Sequence, residues 1–223
     1  MTTARDLMLI ALGLPADRAV GQGDLSLALA GAEAIDLLES GALRLDGDRM
    51  VPGPWALSDD PLLDQAHASL TRREPYETVD NWLWRRADDL VPTYAGALRR
   101  AGLVVPPHGH GLRLPTGRTA LADSREHREA EERRDSGEPV LAGLLEALGI
   151  EGTENTEGTG IIEASGDGVS GVEEEPSDAD DSPLGDDVTT LLAAVGDAVM
   201  QLEAVRLRRD VENAAFDNVW RGW

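Results

Sequence analysis

Apolar residues recur along most of this chain at helical rather than strand spacing. "ARDLMLIAL" suits a short buried helix over Thr3–Leu12. Asp24 is placed to cap a second helix running to about Glu39, in which Leu25, Ala28, Leu29, Ala32, Ile35 and Leu38 fall at i, i+3, i+4, i+7 spacing. Gly41 ends it. "ALRLDGDRMV" then alternates and turns at Asp46-Gly47, a hairpin signal. Asp60-Pro61 opens the next helix, with proline at its first position and Leu62, Leu63, Ala66 and Leu70 on one face. Thr78 caps a helix holding Trp82 and Trp84. Pro92 interrupts the pattern, which resumes to Arg100 and stops at Gly102.

A second helix–glycine–hairpin unit follows, since "GALRRAGLVVPPHGHGLRLP" echoes "LLESGALRLDGDRMVPG". "SREHREAEERRD", residues 124–135, is charged all round and predicts a solvated helix or an ordered arm. Glu138–Leu148 predicts a short apolar helix. Val188, Leu191, Leu192, Val195, Val199, Leu202 and Val205 then mark a long amphipathic helix that should return to the core. Phe216, Trp220 and Trp223 are expected to clip its end to that core.

Composition changes this picture in one place. The net charge of −22 is unevenly spread: residues 151–187 hold 13 of the 42 acidic residues and none of the 20 basic ones, leaving −9 on the rest. That segment is nearly free of apolar side chains and cannot bury enough surface to offset its ordering entropy, so a disordered acidic insertion is expected. The chain therefore divides into a helical domain over 1–150, the insertion over 151–187 and a C-terminal helix in 188–223 that packs back on the domain. The acidic balance argues against nucleic acid, whose affinity comes largely from neutralised phosphates. The absence of cysteine excludes disulfides and thiolate chemistry. The apolar run near the N-terminus is too short for a signal peptide or a spanning helix. Every basic side chain is arginine, which fits GC-rich codon usage and a bacterial source.

"ETVDNWLWRR", Glu77–Arg86, places two of only eight aromatic residues two positions apart. "DPLLDQAHASL" followed by "ETVDNWL", then a helix ending in "RRAGLV" and a polar hairpin, resembles the Golgi phosphoprotein 3 family. The resemblance runs from about Asp6 to Leu148 and resumes at Asp186. It implies a mainly α fold, a helical bundle with one or two short β-hairpins. It also implies a non-enzymatic peripheral membrane adaptor, cytoplasmic and attached at the inner face of the plasma membrane. By the same resemblance its ligand is phosphatidylinositol 4-phosphate or another phospholipid headgroup, and its partners include membrane-bound glycosyltransferases. No cofactor is expected. Trp82, three after Val79, is expected to pack between helices, and Trp84, about 200° further round, to face elsewhere.

The basic pocket that the resemblance implies is not matched. The family's tryptophan before the second helix falls near Gly21, its first arginine near Ala30, and its later arginine pair at Asp88 and Val91. Arg85 and Arg86 are the substitute candidates for gripping a headgroup. The simpler expectation is a solvated face on which they pair with Asp88 and Asp89. His108 and His110 sit in a turn composition without a third metal ligand, and His67 and His127 read as surface or satisfied residues. No nucleophile–base order or phosphate-cradling loop is recognisable. The competing function is a winged-helix-like DNA-binding regulator, with the hairpins as wings and "NWLWRRADD" as recognition helix.

Overall fold

The computed structural model describes residues 2–105, 120–150 and 184–220, of which 105, 120 and 214–220 are described by backbone alone. The fold is mainly helical. In chain order it contains α1 (Thr3–Gly13), α2 (Gln22–Glu39), β1 (Leu43–Asp46), β2 (Arg49–Pro52), α3 (Pro61–Ser69) and α4 (Val79–Arg86). There follow α5 (Leu90–Arg100), β3 (Val104–Val105), β4 (Ala120–Leu121), α6 (Arg125–Asp135), α7 (Pro139–Ala147) and α8 (Asp186–Trp220).

α2 is the axis of the bundle. Twelve of its 18 residues are buried, because α1, α3, α4, α5, α7 and α8 all pack against it. The side chains on its flanks are mostly alanine and leucine, small enough for neighbours to close in from several directions. The closest approach is at Gly31, where an added Cβ would run into Val195 Cγ2 of α8. Trp82 and Tyr94, from α4 and α5, are the largest fully buried side chains. Trp82 is thus a core residue, as its spacing suggested, whereas Trp84 is 38% exposed.

Local chemistry sets the boundaries. Asp60 accepts from Leu62 N and Thr78 from Asn81 N, satisfying first-turn donors of α3 and α4. α1 lacks a cap of its own, and Asp36 of α2 supplies one by accepting from Thr3 N and Ala4 N. Gly41, at φ 73°, ends α2 with Gly41 N donating to Leu38 O and Ala42 N to Leu37 O, a left-handed stop that any Cβ would strain. Asp89, at φ 54°, makes the bend between α4 and α5, so Pro92 lies inside the first turn of α5 and not at the break itself.

Four expectations need correction. α2 begins at Gln22 with Gly21 as its cap; Asp24 lies inside the first turn and is drawn into an ion pair. The β1–β2 register pairs Asp46 with Arg49, so the turn is Gly47-Asp48, one residue later than expected, with Gly47 supplying the positive φ. The amphipathic pattern of α8 holds through Leu191, Val195 and Ala198, which are buried, but Val205 is 45% exposed because the bundle has ended by then. α8 also starts at Asp186, taking in two residues assigned to the acidic insertion, and Asp187 accepts from Leu45 N. The rest of that insertion, residues 151–183, lies outside the described residues, as do most of the second hairpin and the contacts of Phe216, Trp220 and Trp223. Of that hairpin, β3 and β4 are seen as a short antiparallel pair.

Candidate functional site

A cleft of about 580 Å³ opens where the start of α2 meets the α4–α5 bend and α8. Gln22, Gly23, Ser26 and Leu27 form one wall, Trp84, Arg85, Ala87, Asp88 and Asp89 the other, and Leu202 of α8 closes an end. The glycines at the start of α2 leave room for close neighbours: a Cβ on Gly23 would come 2.7 Å from Leu202 Cδ2, and one on Gly21 would meet the Asp24 carboxylate first and Arg206 Nη2 at 3.2 Å. They let α8 lie across the N-terminus of α2 and bring the Arg206 guanidinium to it. Arg206 Nη1 donates to Asp24 Oδ1 and Oδ2 at 2.9 and 2.6 Å, and these hydrogen bonds, foremost, hold its pKa above the usual arginine value. Among the described residues no side chain caps α2, so the positive end of its dipole points toward this cation and the cleft.

The sequence-predicted positions separate in space. Gly21 adjoins the cleft as the cap of α2, and Asp88 lines it. Ala30 is fully buried in the core, out of reach of any headgroup. Val91 lines a different hollow, of about 330 Å³, walled mainly by apolar residues such as Met8, Leu12 and Leu25.

Arg85 and Arg86 are not on a common solvated face, and their partners are neither Asp88 nor Asp89. Arg85 makes a two-pronged pair with Glu77, Nε to Oε1 at 2.9 Å and Nη2 to Oε2 at 2.6 Å, and donates to Ser69 O. Its hydrogen bond to Glu77 raises its pKa. Arg86 turns inward and grips Glu33 of α2, Nε to Oε2 at 2.7 Å and Nη2 to Oε1 at 2.9 Å, while Tyr94 Oη donates to the same Oε1 at 3.0 Å. Glu33 is wholly buried. Desolvation pushes its pKa up against the opposing pull of Arg86 and Tyr94, and desolvation together with the Glu33 charge raises Tyr94 well above its usual value. Arg86 is therefore a structural cation. Arg85, half-exposed on the cleft wall, remains accessible on one side.

These findings bear on the other candidate chemistries. His67 is buried and satisfied: Nε2 faces Gly53 O at 3.4 Å, Nδ1 faces Arg72 Nη2 at 3.3 Å, and the ring lies 5.2 Å from that of Trp55. His127 Nε2 stands 3.7 Å from Glu131. His108 and His110 lie outside the described residues. Among the described residues no group of three His, Asp or Glu is set to hold a metal ion. The helix that a DNA-binding reading would use buries Trp82 and Leu83 and spends both arginines on carboxylates, so nothing observed favours that reading.

Sequence reasoning missed Glu33 and the Asp24–Arg206 pair. A lone acid between Ala32 and Ala34 in an otherwise apolar helix was the available signal for Glu33. The Asp24–Arg206 pair joins positions 182 apart, and no local pattern announces it.

A family model described as Golgi phosphoprotein 3 (GPP34) matches residues 4–195 of the chain. No curated protein gives a significant match.

Proposed function

The chain belongs to the Golgi phosphoprotein 3 family, and on that premise we propose that it is a non-enzymatic peripheral adaptor whose cleft beside α2 meets phospholipid headgroups of the phosphatidylinositol 4-phosphate class. The observation that carries this reading is a cleft walled by the uncapped start of α2 and by Trp84 and Arg85, with the Arg206 guanidinium beside it at Gly21 and Gly23. A phosphate can accept from the free N–H groups of the first turn of α2 and from the outer edge of Arg206, while the half-exposed indole of Trp84 supports the lipid backbone. Arg206, contributed by α8, takes the place of the basic residue missing at Ala30.

The same geometry makes this grip weak. Asp24 already holds Arg206, Glu77 holds Arg85, and Asp88 and Asp89 repel a phosphate from the opposite wall. Binding should therefore be salt-sensitive and strongest on densely anionic bilayers. Membrane-bound proteins such as glycosyltransferases are the proposed cargo, and the inner face of the plasma membrane the proposed site of action.

Co-sedimentation with vesicles of neutral lipid, with and without phosphatidylinositol 4-phosphate, tests the proposal. Low-salt binding to the phosphoinositide vesicles, weakened by Arg206→Ala and strengthened by Asp88→Arg, is expected. No binding to those vesicles at low salt, or binding indifferent to both substitutions, would sink the headgroup reading.

A further inference from the structure

Beyond the bundle, α8 carries a second apolar face opposite the one that packs on α2. Leu191, Val195 and Ala198 are buried, and Leu202 packs against them at the edge of the core. Half a turn round from Leu202, Met200, Ala204, Leu207 and Val211 repeat at spacings of four, three and four. All four are exposed, Met200 at 65%, Leu207 at 57% and Val211 at 69%. In sequence the spacing continues to Ala214, and on the other side Asp197 ends the run. Alternation of four and three keeps one stripe facing a partner helix, the requirement of a coiled-coil seam.

Two occupants could cover such a stripe, a bilayer or another helix. α8 is long enough to span a membrane, and an 18-residue window within Asp186–Asn213 has a mean hydropathy of 1.4. The anchoring of Leu191, Val195 and Ala198 in the soluble core argues against insertion. Charge decides in favour of a helix, and of which helix. Along a seam with Ala204 and Val211 at one core position and Met200 and Leu207 at the other, Glu203 occupies one flank and Arg208 the opposite flank, five residues on. In a parallel pair these are the positions that meet across the interface, so Glu203 of each copy faces Arg208 of the other, twice. An antiparallel pair brings acid to acid and arginine to arginine. Arg208 has no carboxylate partner among the described residues of its own chain, and a bilayer would gain nothing from Glu203 or Asp210.

We propose that the distal half of α8 is a self-association element, pairing in parallel with α8 of a second copy of this chain through Met200, Ala204, Leu207 and Val211, with Glu203 and Arg208 fixing direction and register. The bundles then lie on the outer sides of the pair, since each is held by the opposite face of its helix. About two heptads of seam make the association weak and concentration-dependent, suited to copies already gathered on a surface.

The chain has no cysteine, so single cysteines report the geometry directly. Sedimentation velocity of the full chain should show a concentration-dependent monomer–dimer equilibrium. Met200→Cys and Leu207→Cys should each cross-link to themselves under oxidation, as only a parallel in-register pair allows for both, while Gln201→Cys should not. Leu207→Asp should give monomer at every concentration with an unchanged unfolding midpoint, because Leu207 touches no core. Arg208→Glu should weaken pairing at least severalfold, and Glu203→Arg in the same chain should restore it. A monomer throughout, cross-linking of only one seam position, dimers insensitive to Leu207→Asp, or a monomer whose vesicle binding falls with Leu207→Asp would each overturn the proposal; the last would assign the stripe to lipid.

Discussion

Replacing Glu33 with alanine should be among the most damaging single changes in this protein. The substitution leaves the Arg86 guanidinium and the Tyr94 hydroxyl facing an apolar pocket, after losing three hydrogen bonds of 2.7–3.0 Å. Removing one partner of a buried pair costs about 3–5 kcal/mol, and an orphaned buried hydroxyl about 1–3 kcal/mol. The two do not add fully, since the Arg86 side chain is 15% exposed and can rotate toward water. We therefore expect a loss of about 3–4 kcal/mol, a large share of the roughly 5–15 kcal/mol typical of a domain. Replacing the triad together, Glu33→Leu with Arg86→Met and Tyr94→Phe, should return to within about 1 kcal/mol of the wild type, because the desolvation of three polar groups is then avoided. Urea unfolding followed by far-ultraviolet circular dichroism at neutral pH measures each variant, and the cycle gives the coupling. If Glu33→Ala cost less than about 1 kcal/mol, or if the single losses simply summed in the triple variant, the buried network would not be the keystone described.

Three further outcomes are expected. Trp82→Ala should lose about 3–5 kcal/mol by leaving a cavity, and Trp82→Phe distinctly less, because the buried indole Nε1, which has no hydrogen-bond partner among the described residues, goes with it; thermal and urea midpoints compare the two. Asp36, whose carboxyl is raised from 3.8 to about 6 chiefly by burial, binds its proton more tightly folded than unfolded. Its contribution is full below the unfolded value and declines as pH climbs to about 6, by about 3 kcal/mol at 1.36 kcal/mol per pH unit. The stability difference between the wild type and Asp36→Asn, tracked from pH 4 to 7, should show this fall; a flat difference would remove Asp36 as its source. Deleting residues 151–183, which carry 11 acidic side chains, should strengthen any binding to anionic vesicles, most at low salt, and unchanged affinity would exclude an electrostatic role for the segment.

What the sequence disclosed and what it hid divide along a physical line. Elements whose cause lies within four residues were legible. The caps at Asp60 and Thr78, the glycine stops at 41 and 102 and the burial of Trp82 all follow from spacing and from single-residue backbone preferences. Partners chosen by tertiary approach were not legible. Arg85 and Arg86 have aspartates a turn away, yet they bind Glu77 and Glu33, because the helix points one inward and the other back along the loop. Asp24 looked like a cap because its type suits one, but Gly21 allows the helix to start earlier, and α8 brings Arg206 to collect the carboxylate. The apolar spacing of α8 also continued one turn beyond the core, so Val205 was assigned to a surface that had already ended. The headgroup cleft was half-visible for the same reason: Trp84 and Arg85 could be read locally, whereas Arg206 arrives from the far end of the chain.

The contact between Gly31 and Val195 also constrains when this protein can exist. The two residues are separated by most of the polypeptide, and it is Val195 of α8 that enters the notch the missing side chain leaves in α2. During synthesis, the central rod stands uncovered along that flank until the closing helix clears the ribosome. A chain ending short of Val195 consequently leaves the α8-facing side of α2 without its cover.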